Sequence, residues 1–358
     1  MSWLKIIALA ALLLPSLHGQ AQPPGADSLL QFITQNKNRS AVCIARNDTI
    51  IARLNENKLM PLASTVKMLI AVEFAKQAGT GVIDEEALVP LSELDKYYLA
   101  GTDGGAHPAW LQYEKQKNNI KNDSISLKNI ARGMIIFSSN ANTEYLLDLL
   151  GLDNTSSNTQ LFGLKKHTAL YPIVSSFFLY QNPHKAKEDK ILKSIAALTE
   201  EQYCKTIYQI HKALKYDTVL KKKFRMEEMS MKLQKTWSDR LTASTAAEYV
   251  QLCSILNRRK FLTSDSYGVL AEVLEFVMEN PANQKIYKHL GIKNGSTAFV
   301  LTEAFYATLQ DGSRIEAAYF FNNLTPEENT RMQRWLNDLR RGITQHPAFL
   351  TQVSKQLQ

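Results

Sequence analysis

Residues 41–55, "AVCIARNDTIIARLN", decide the fold. Two apolar, β-branched runs flank Asn47-Asp48, a pair that tolerates the left-handed backbone of a tight turn, so the stretch reads as a β-hairpin. Clear strand signals return only at the far end of the chain. They are "YKHLGIKNGS" (287–296), "TEAFYATLQ" (302–310) and, after a turn at Asp311-Gly312, "RIEAAYFFNN" (314–323). Almost everything between has helical periodicity. Strands at both ends around helices predict an α/β (α+β) architecture: an antiparallel sheet formed from both termini, flanked by helices, with an inserted all-helical lobe. The α/β part is expected over 22–62 and 286–358, the helical part over 63–285.

Working outward, residues 28–36 read as a short helix. "TVKMLIAVEFAKQAGTG" (65–81) reads as another, ended by Gly79 and Gly81. Ser126 caps "LKNIARGMIIFSSNANTEYLLDLLG" (127–151), helical on both sides of a polar "SSN". Further helices are expected near 154–164, 188–216, 218–235, 244–257 and 264–279. A last one opens at Thr325-Pro326. The segment 97–113, with Gly104, Gly105 and Pro108 as breakers, reads as a loop.

Ahead of the hairpin, Lys5 precedes an apolar run from Ile6 to Leu14, then Pro15 and a small-residue exit with Gly19 and Ala21. Residues 1–21 therefore read as a secretory signal, too short to span a bilayer with about 20 apolar residues. A periplasmic or secreted protein is the expectation. No cysteine follows the run, so a lipid anchor is not indicated. Charged residues make up 21% and hydrophobic ones 45%, a globular composition, and a monomer is expected. Cys43, Cys204 and Cys253 are too few for a disulfide framework and read as thiols, with at most one bridge. Of the net charge of +8, six units fall in residues 185–235, with thirteen Lys and Arg against seven Asp and Glu. This basic helical insertion reads first as a solvated face, with an anionic envelope surface as the alternative partner. Nucleic acid is not expected, since no nucleic-acid-binding motif is present.

Three polar clusters could carry chemistry. Ser64-Thr65-Val66-Lys67 opens a helix, and one turn sets the amine of Lys67 on the face of the Ser64 hydroxyl. The same helix start supplies free N–H groups that favour an oxyanion. Ser138-Ser139-Asn140 interrupts an apolar helical run, so it needs buried partners or a cleft. Lys293-Asn294-Gly295-Ser296 lies on a strand, where glycine often marks the close approach of another group. Each also has an ordinary structural reading: a cap, a satisfied core serine pair, an edge-strand lysine.

In this order the clusters resemble the S-x-x-K, S-D-N and K-T-G signature of the penicillin-recognising serine acyl-transferases, most closely the class A β-lactamases. The flanks "MPLASTVKMLIAVEF", "RGMIIFSSNANTEYLL" and "LGIKNGS" extend the resemblance over nearly the whole chain after the signal. The resemblance implies hydrolysis of a small β-lactam or a D-Ala-D-Ala-like peptide through an acyl-enzyme, without metal or cofactor, and a non-turnover penicillin-binding sensor or envelope-polymer binding protein is the alternative from a different class. Ser64 would be the nucleophile, Lys67 the proton acceptor and Ser138 a proton shuttle to the leaving nitrogen. Asn140 would bind the substrate's amide side chain, and Lys293 its carboxylate, with Asn294 able to donate to the same group. Gly295 and Ser296 complete the strand motif. The backbone N–H groups of Ser64 and Ser296 would form the oxyanion hole.

Two departures are mild: Ser139 stands where the family has Asp, and Asn294 where it has Thr or Ser. A third bears on mechanism. The family's deacylating glutamate should lie in an E-x-x-L-N loop, yet residues 154–187 contain no Asp or Glu. Glu144, one helical turn after Asn140, is a candidate replacement base or a charge partner that tunes Lys67. His167 is a weaker candidate. Tyr97, Tyr98, His107 and Trp110 border the cleft in relatives and would either shape substrate access or pack within their loop.

Overall fold

The computed structural model describes residues 23–181 and 187–358. The expected export signal, 1–21, lies outside the described residues. The hairpin pairs β1 (Ser40–Arg46) with β2 (Thr49–Leu54) through a turn in which Asn47 and Asp48 hold left-handed φ values of 48° and 68°. β3 (Tyr287–Ser296), β4 (Leu301–Leu309) and β5 (Arg314–Phe321) complete a five-stranded antiparallel sheet of order β2-β1-β5-β4-β3. Ser40 sits opposite Phe321 and Arg46 opposite Ile315, so strands from the two ends of the chain are joined at β1 and β5. β3 is left as an edge.

Alternation sends the strand side chains into two cores. On one face Val42, Ile44, Phe305 and Tyr319 pack with the helices Pro24–Gln35, Pro326–Gln345 and Pro347–Gln356. On the other, Cys43, Ala304, Tyr306 and Phe320 meet the helical lobe. At the centre of that lobe is the helix Lys67–Gly79, buried on every side from Lys67 to Ala75, as a helix surrounded by others must be.

The structure differs from the expected elements where a breaker turned out to be a beginning. The segment 97–113 is not all loop. Gly104 and Gly105, at φ 64° and 89°, lead into the helix Ala106–Gln116, whose His107 and Trp110 are buried. The helix expected over 188–216 is two, Glu188–Ala196 and Glu200–Tyr216, because Thr199 and Gln202 form a capping box that starts the second. The 218–235 helix likewise divides into Thr218–Lys222 and Met231–Asp239. Thr325 caps the closing helix with Glu328, and Pro347 starts one more that the reading lacked. All three cysteines are free. No helix among the described residues is long and apolar enough to cross a membrane.

Candidate active site

Ser64 sits in a single 3₁₀ turn, Ala63–Val66, that runs straight into the helix Lys67–Gly79. Ala63 has φ 45°, a left-handed conformation that costs a non-glycine residue roughly 1 kcal/mol or more and persists only where its surroundings dictate it. Those surroundings are explicit. The Leu62 N–H donates to the Thr242 carbonyl at 2.9 Å, and the Leu62 carbonyl accepts from Thr302 Oγ1 at 2.7 Å. Thr65 Oγ1 and Thr302 Oγ1 are 2.8 Å apart. The turn is thus fixed to β4, and β3 comes against it at Gly295. A Cβ there would lie 2.5 Å from the Ser64 nitrogen and 2.6 Å from the Leu62 oxygen, so only glycine lets the strand reach the Ser64 backbone.

Lys67, Ser138, Asn140 and Lys293 converge beside this turn. Lys67 Nζ, fully buried, bonds the Ser138 carbonyl at 2.7 Å, Asn140 Oδ1 at 2.8 Å and Ser138 Oγ at 3.1 Å. Lys293 Nζ approaches the same Ser138 Oγ from the sheet side at 3.2 Å and donates to the Asn294 carbonyl at 2.8 Å. Ser138 has φ 66°, again left-handed without being glycine, which turns its hydroxyl between the two amines. Burial pushes Lys67 well below the ordinary lysine range. The neighbouring Lys293 adds to that, while Asp103 and Glu144 oppose it. Burial also lowers Lys293, to about 7, with Glu303 opposing. A neutral Lys67 amine has two N–H groups, which the two carbonyl-type oxygens accept, and one lone pair left for a hydroxyl proton.

Glu144 is buried on the next turn of the Asn140–Leu150 helix, and its oxygens are engaged away from Lys67. Oε1 accepts the backbone N–H of Val174 and, at 3.2 Å, that of Ser175. Oε2 accepts the Ser175 hydroxyl at 3.3 Å and meets His211 Nδ1 at 3.2 Å. His211 Nε2 is 2.9 Å from Asp148 Oδ1, and Asp148 Oδ2 takes Lys215 Nζ at 2.6 Å and the Tyr97 hydroxyl at 2.8 Å. Burial works against a charge on His211, but its bonds to Asp148 and Glu144 outweigh that and raise it to about 9. Burial would raise Asp148, yet the same bonds hold it below the usual carboxylate range. A histidine from the basic insertion therefore lies inside the lobe between two carboxylates that favour its charged form. Sequence reasoning missed it. Its signal was available: the buried positions of Glu200–Tyr216 are Tyr203, Ile207, His211 and Leu214, so the histidine interrupts an apolar helical stripe.

The remaining candidates sit as follows. Ser139 Oγ caps the Asn140–Leu150 helix by accepting the Asn142 N–H, and pairs with His107 Nδ1 at 2.9 Å. Tyr98 lies tilted against His107, with ring centres 4.9 Å apart. Trp110 donates to Glu114, so His107, Trp110 and Tyr97 are packed within the lobe. His167 bonds the Thr168 carbonyl and lies along Tyr249. Asn294 and Ser296 are exposed on the edge strand, and Ser296 Oγ accepts from Gln333 Nε2 at 3.0 Å.

A sheet drawn from both termini, a helical lobe, and a serine–lysine turn beside a second serine and an edge-strand lysine give the chain the fold of a beta-lactamase-like protein. Residues 26–346 match the beta-lactamase enzyme family, and the chain belongs to it. No curated protein sequence matches the chain. Among solved structures it is similar to a representative of class A beta-lactamase from Bacteroides cellulosilyticus DSM 14838, at 14% identity and TM-score 0.52 over 93% of this chain and 99% of that one. It is also similar to a beta-lactamase from Chitinophaga pinensis DSM 2588, at 15% identity and TM-score 0.53 over 88% and 97%. PBP-A shares 16% identity at TM-score 0.51, over 92% and 97%. These likenesses define the fold.

Proposed function

We propose that this protein is an exported serine hydrolase that opens β-lactams through an acyl-enzyme on Ser64, with deacylation as the slow step. The convergence of two buried lysines on the Ser138 hydroxyl carries this reading. In the proposed acylation, Ser64 Oγ attacks the lactam carbonyl carbon and its proton passes to the lone pair of Lys67. The C–N bond then breaks. Ser138 gives its proton to the leaving nitrogen and regains one from Lys67. Lys293 binds the substrate carboxylate while it carries its proton, and the N–H groups of Ser64 and Ser296 serve the oxyanion.

Slow deacylation follows from the acid-free stretch 154–187 and from the engagement of both Glu144 oxygens with the 174–175 backbone and His211. In this reading Glu144 is a charge partner of Lys67. The same features favour a second reading, a D-alanyl-D-alanine peptidase or related amidase or esterase that β-lactams inhibit. The basic helices are in either case candidates for contact with an anionic envelope surface.

A chromogenic cephalosporin used beside a fluorescent penicillin separates the two. Colour with a label that fades over turnover supports the lactamase. A label that persists with almost no colour supports the peptidase, and neither signal would sink the Ser64 assignment.

A further inference from the structure

The basic insertion packs into the lobe through Ile195, Tyr203, Ile207 and Leu233, and the contacts around its buried histidine, His211, lead to both walls of the candidate active site. The ring is faced by Glu144 and Asp148 from the Asn140–Leu150 helix, by Ser175, by Tyr97 at 5.7 Å between ring centres, and by Tyr208 of its own helix, whose Lys215 bonds the far oxygen of Asp148. From there Glu144 holds the Val174 and Ser175 amides. The next residue, Ser176, accepts from Trp237 Nε1 at 2.7 Å, and Ser238 Oγ bonds Thr297 Oγ1 at 2.9 Å, directly beyond Ser296. On the other side the Thr242 hydroxyl bonds the Ala169 carbonyl at 3.0 Å, and the Thr242 carbonyl holds Leu62, two residues before Ser64. Ser175, His211 and Asp148 have the connectivity of a catalytic triad, but Ser175 is wholly buried and cannot meet a substrate.

We propose that His211 is a positioning residue for the chemistry of Ser64: lying charged between Glu144 and Asp148, it holds Glu144 on the backbone of the 173–176 segment and offsets the negative charge that Glu144 presents to Lys67. The first effect fixes the segment that runs between the two walls. The second keeps Lys67 a base, because a lone carboxylate nearby favours the ammonium form. Glu144 indeed acts on Lys67 in that direction. The insertion is then a working part of the hydrolase, reaching its chemistry through this imidazolium.

The inference rests on the reading that Ser64 is acylated. Its test is the pH profile of Ser64 labelling by fluorescent penicillin in wild type, His211→Gln and His211→Lys. Loss of the cation should let Lys67 keep its proton to higher pH. The acid limb of His211→Gln is expected about one pH unit higher, with labelling near neutrality about tenfold slower. His211→Lys restores the cation and should return the limb to its wild-type position. Loss of packing alone would lower the rate without moving the limb, so a folded His211→Gln with the wild-type limb overturns the proposal. Should His211→Gln not fold, the ring nitrogen NMR signals of wild type decide it: a charged His211 at about pH 7.5 supports the clamp, and a neutral one overturns it. Wild type that takes no label at all would count against the acylation reading instead, and the NMR measurement would still judge the clamp.

Discussion

Replacing His211 with glutamine should cost stability by an amount that depends on pH. In the fold the ring keeps its proton to about 9, against 6.5 ordinarily, a difference of about 2.5 units. At about 1.4 kcal/mol per pH unit this is about 3–4 kcal/mol. The sign follows from proton binding: the folded state holds the proton more tightly, so the contribution is complete below pH 6.5 and disappears as pH rises through 9. Lys293 acts oppositely. Its folded value is about 7 against 10.5, so the unfolded chain binds the extra proton and stability gains as pH rises between those values. A wild-type curve alone mixes the two, whereas the difference between wild type and variant removes Lys293. Urea unfolding followed by tryptophan fluorescence at about pH 6, 8 and 10 gives that difference. It is expected to shrink by about 3–4 kcal/mol from the lowest to the highest pH, leaving only the packing cost of the glutamine. A difference that stays constant across the range would refute a charged ring between the two carboxylates.

Gly295→Ala should reduce Ser64 labelling by about a hundredfold and lower the melting temperature, because the new methyl displaces the Ser64 and Leu62 backbone from its packed position. Acylation by an anionic β-lactam should slow above about 7 as Lys293 gives up its proton, and a probe with its carboxylate esterified should lack that alkaline limb. Glu144→Gln keeps an acceptor for the 174–175 amides but breaks the buried pair with His211, so urea unfolding should report a loss of about 3–5 kcal/mol. If that variant instead folded normally and its penicilloyl adduct lasted far longer than the wild-type one, Glu144 would be the deacylating base.

The parts of the fold and site that could be read from the sequence are those governed by local rules. Asn47-Asp48 specifies its turn, Thr325-Pro326 with Glu328 specifies a helix start, and Ser64, Lys67, Ser138 and Lys293 appear in motif order at recognisable spacing. What escaped depends on distant partners. Gly104 and Gly105 read as breakers because nothing local says that a helix begins after them, with Trp110 held in the core. The charge of the basic insertion drew attention to a solvated face, while its consequential residue, His211, points inward to carboxylates 63 and 67 positions earlier. The fate of Glu144 was hidden for the same reason. Its spacing after Asn140 put it on the right face of the helix, but the Val174 and Ser175 amides that claim its oxygens come from a segment with no charge pattern of its own.

The central claim is that Ser64 forms a covalent acyl-enzyme, and intact-protein mass spectrometry after brief exposure to a penicillin tests it most directly. Wild type is expected to gain the mass of one penicillin, localised by digestion to the peptide carrying Ser64, and Ser64→Ala to gain none. An unmodified wild type that has also hydrolysed no penicillin, or an equal adduct on folded Ser64→Ala, would contradict the account.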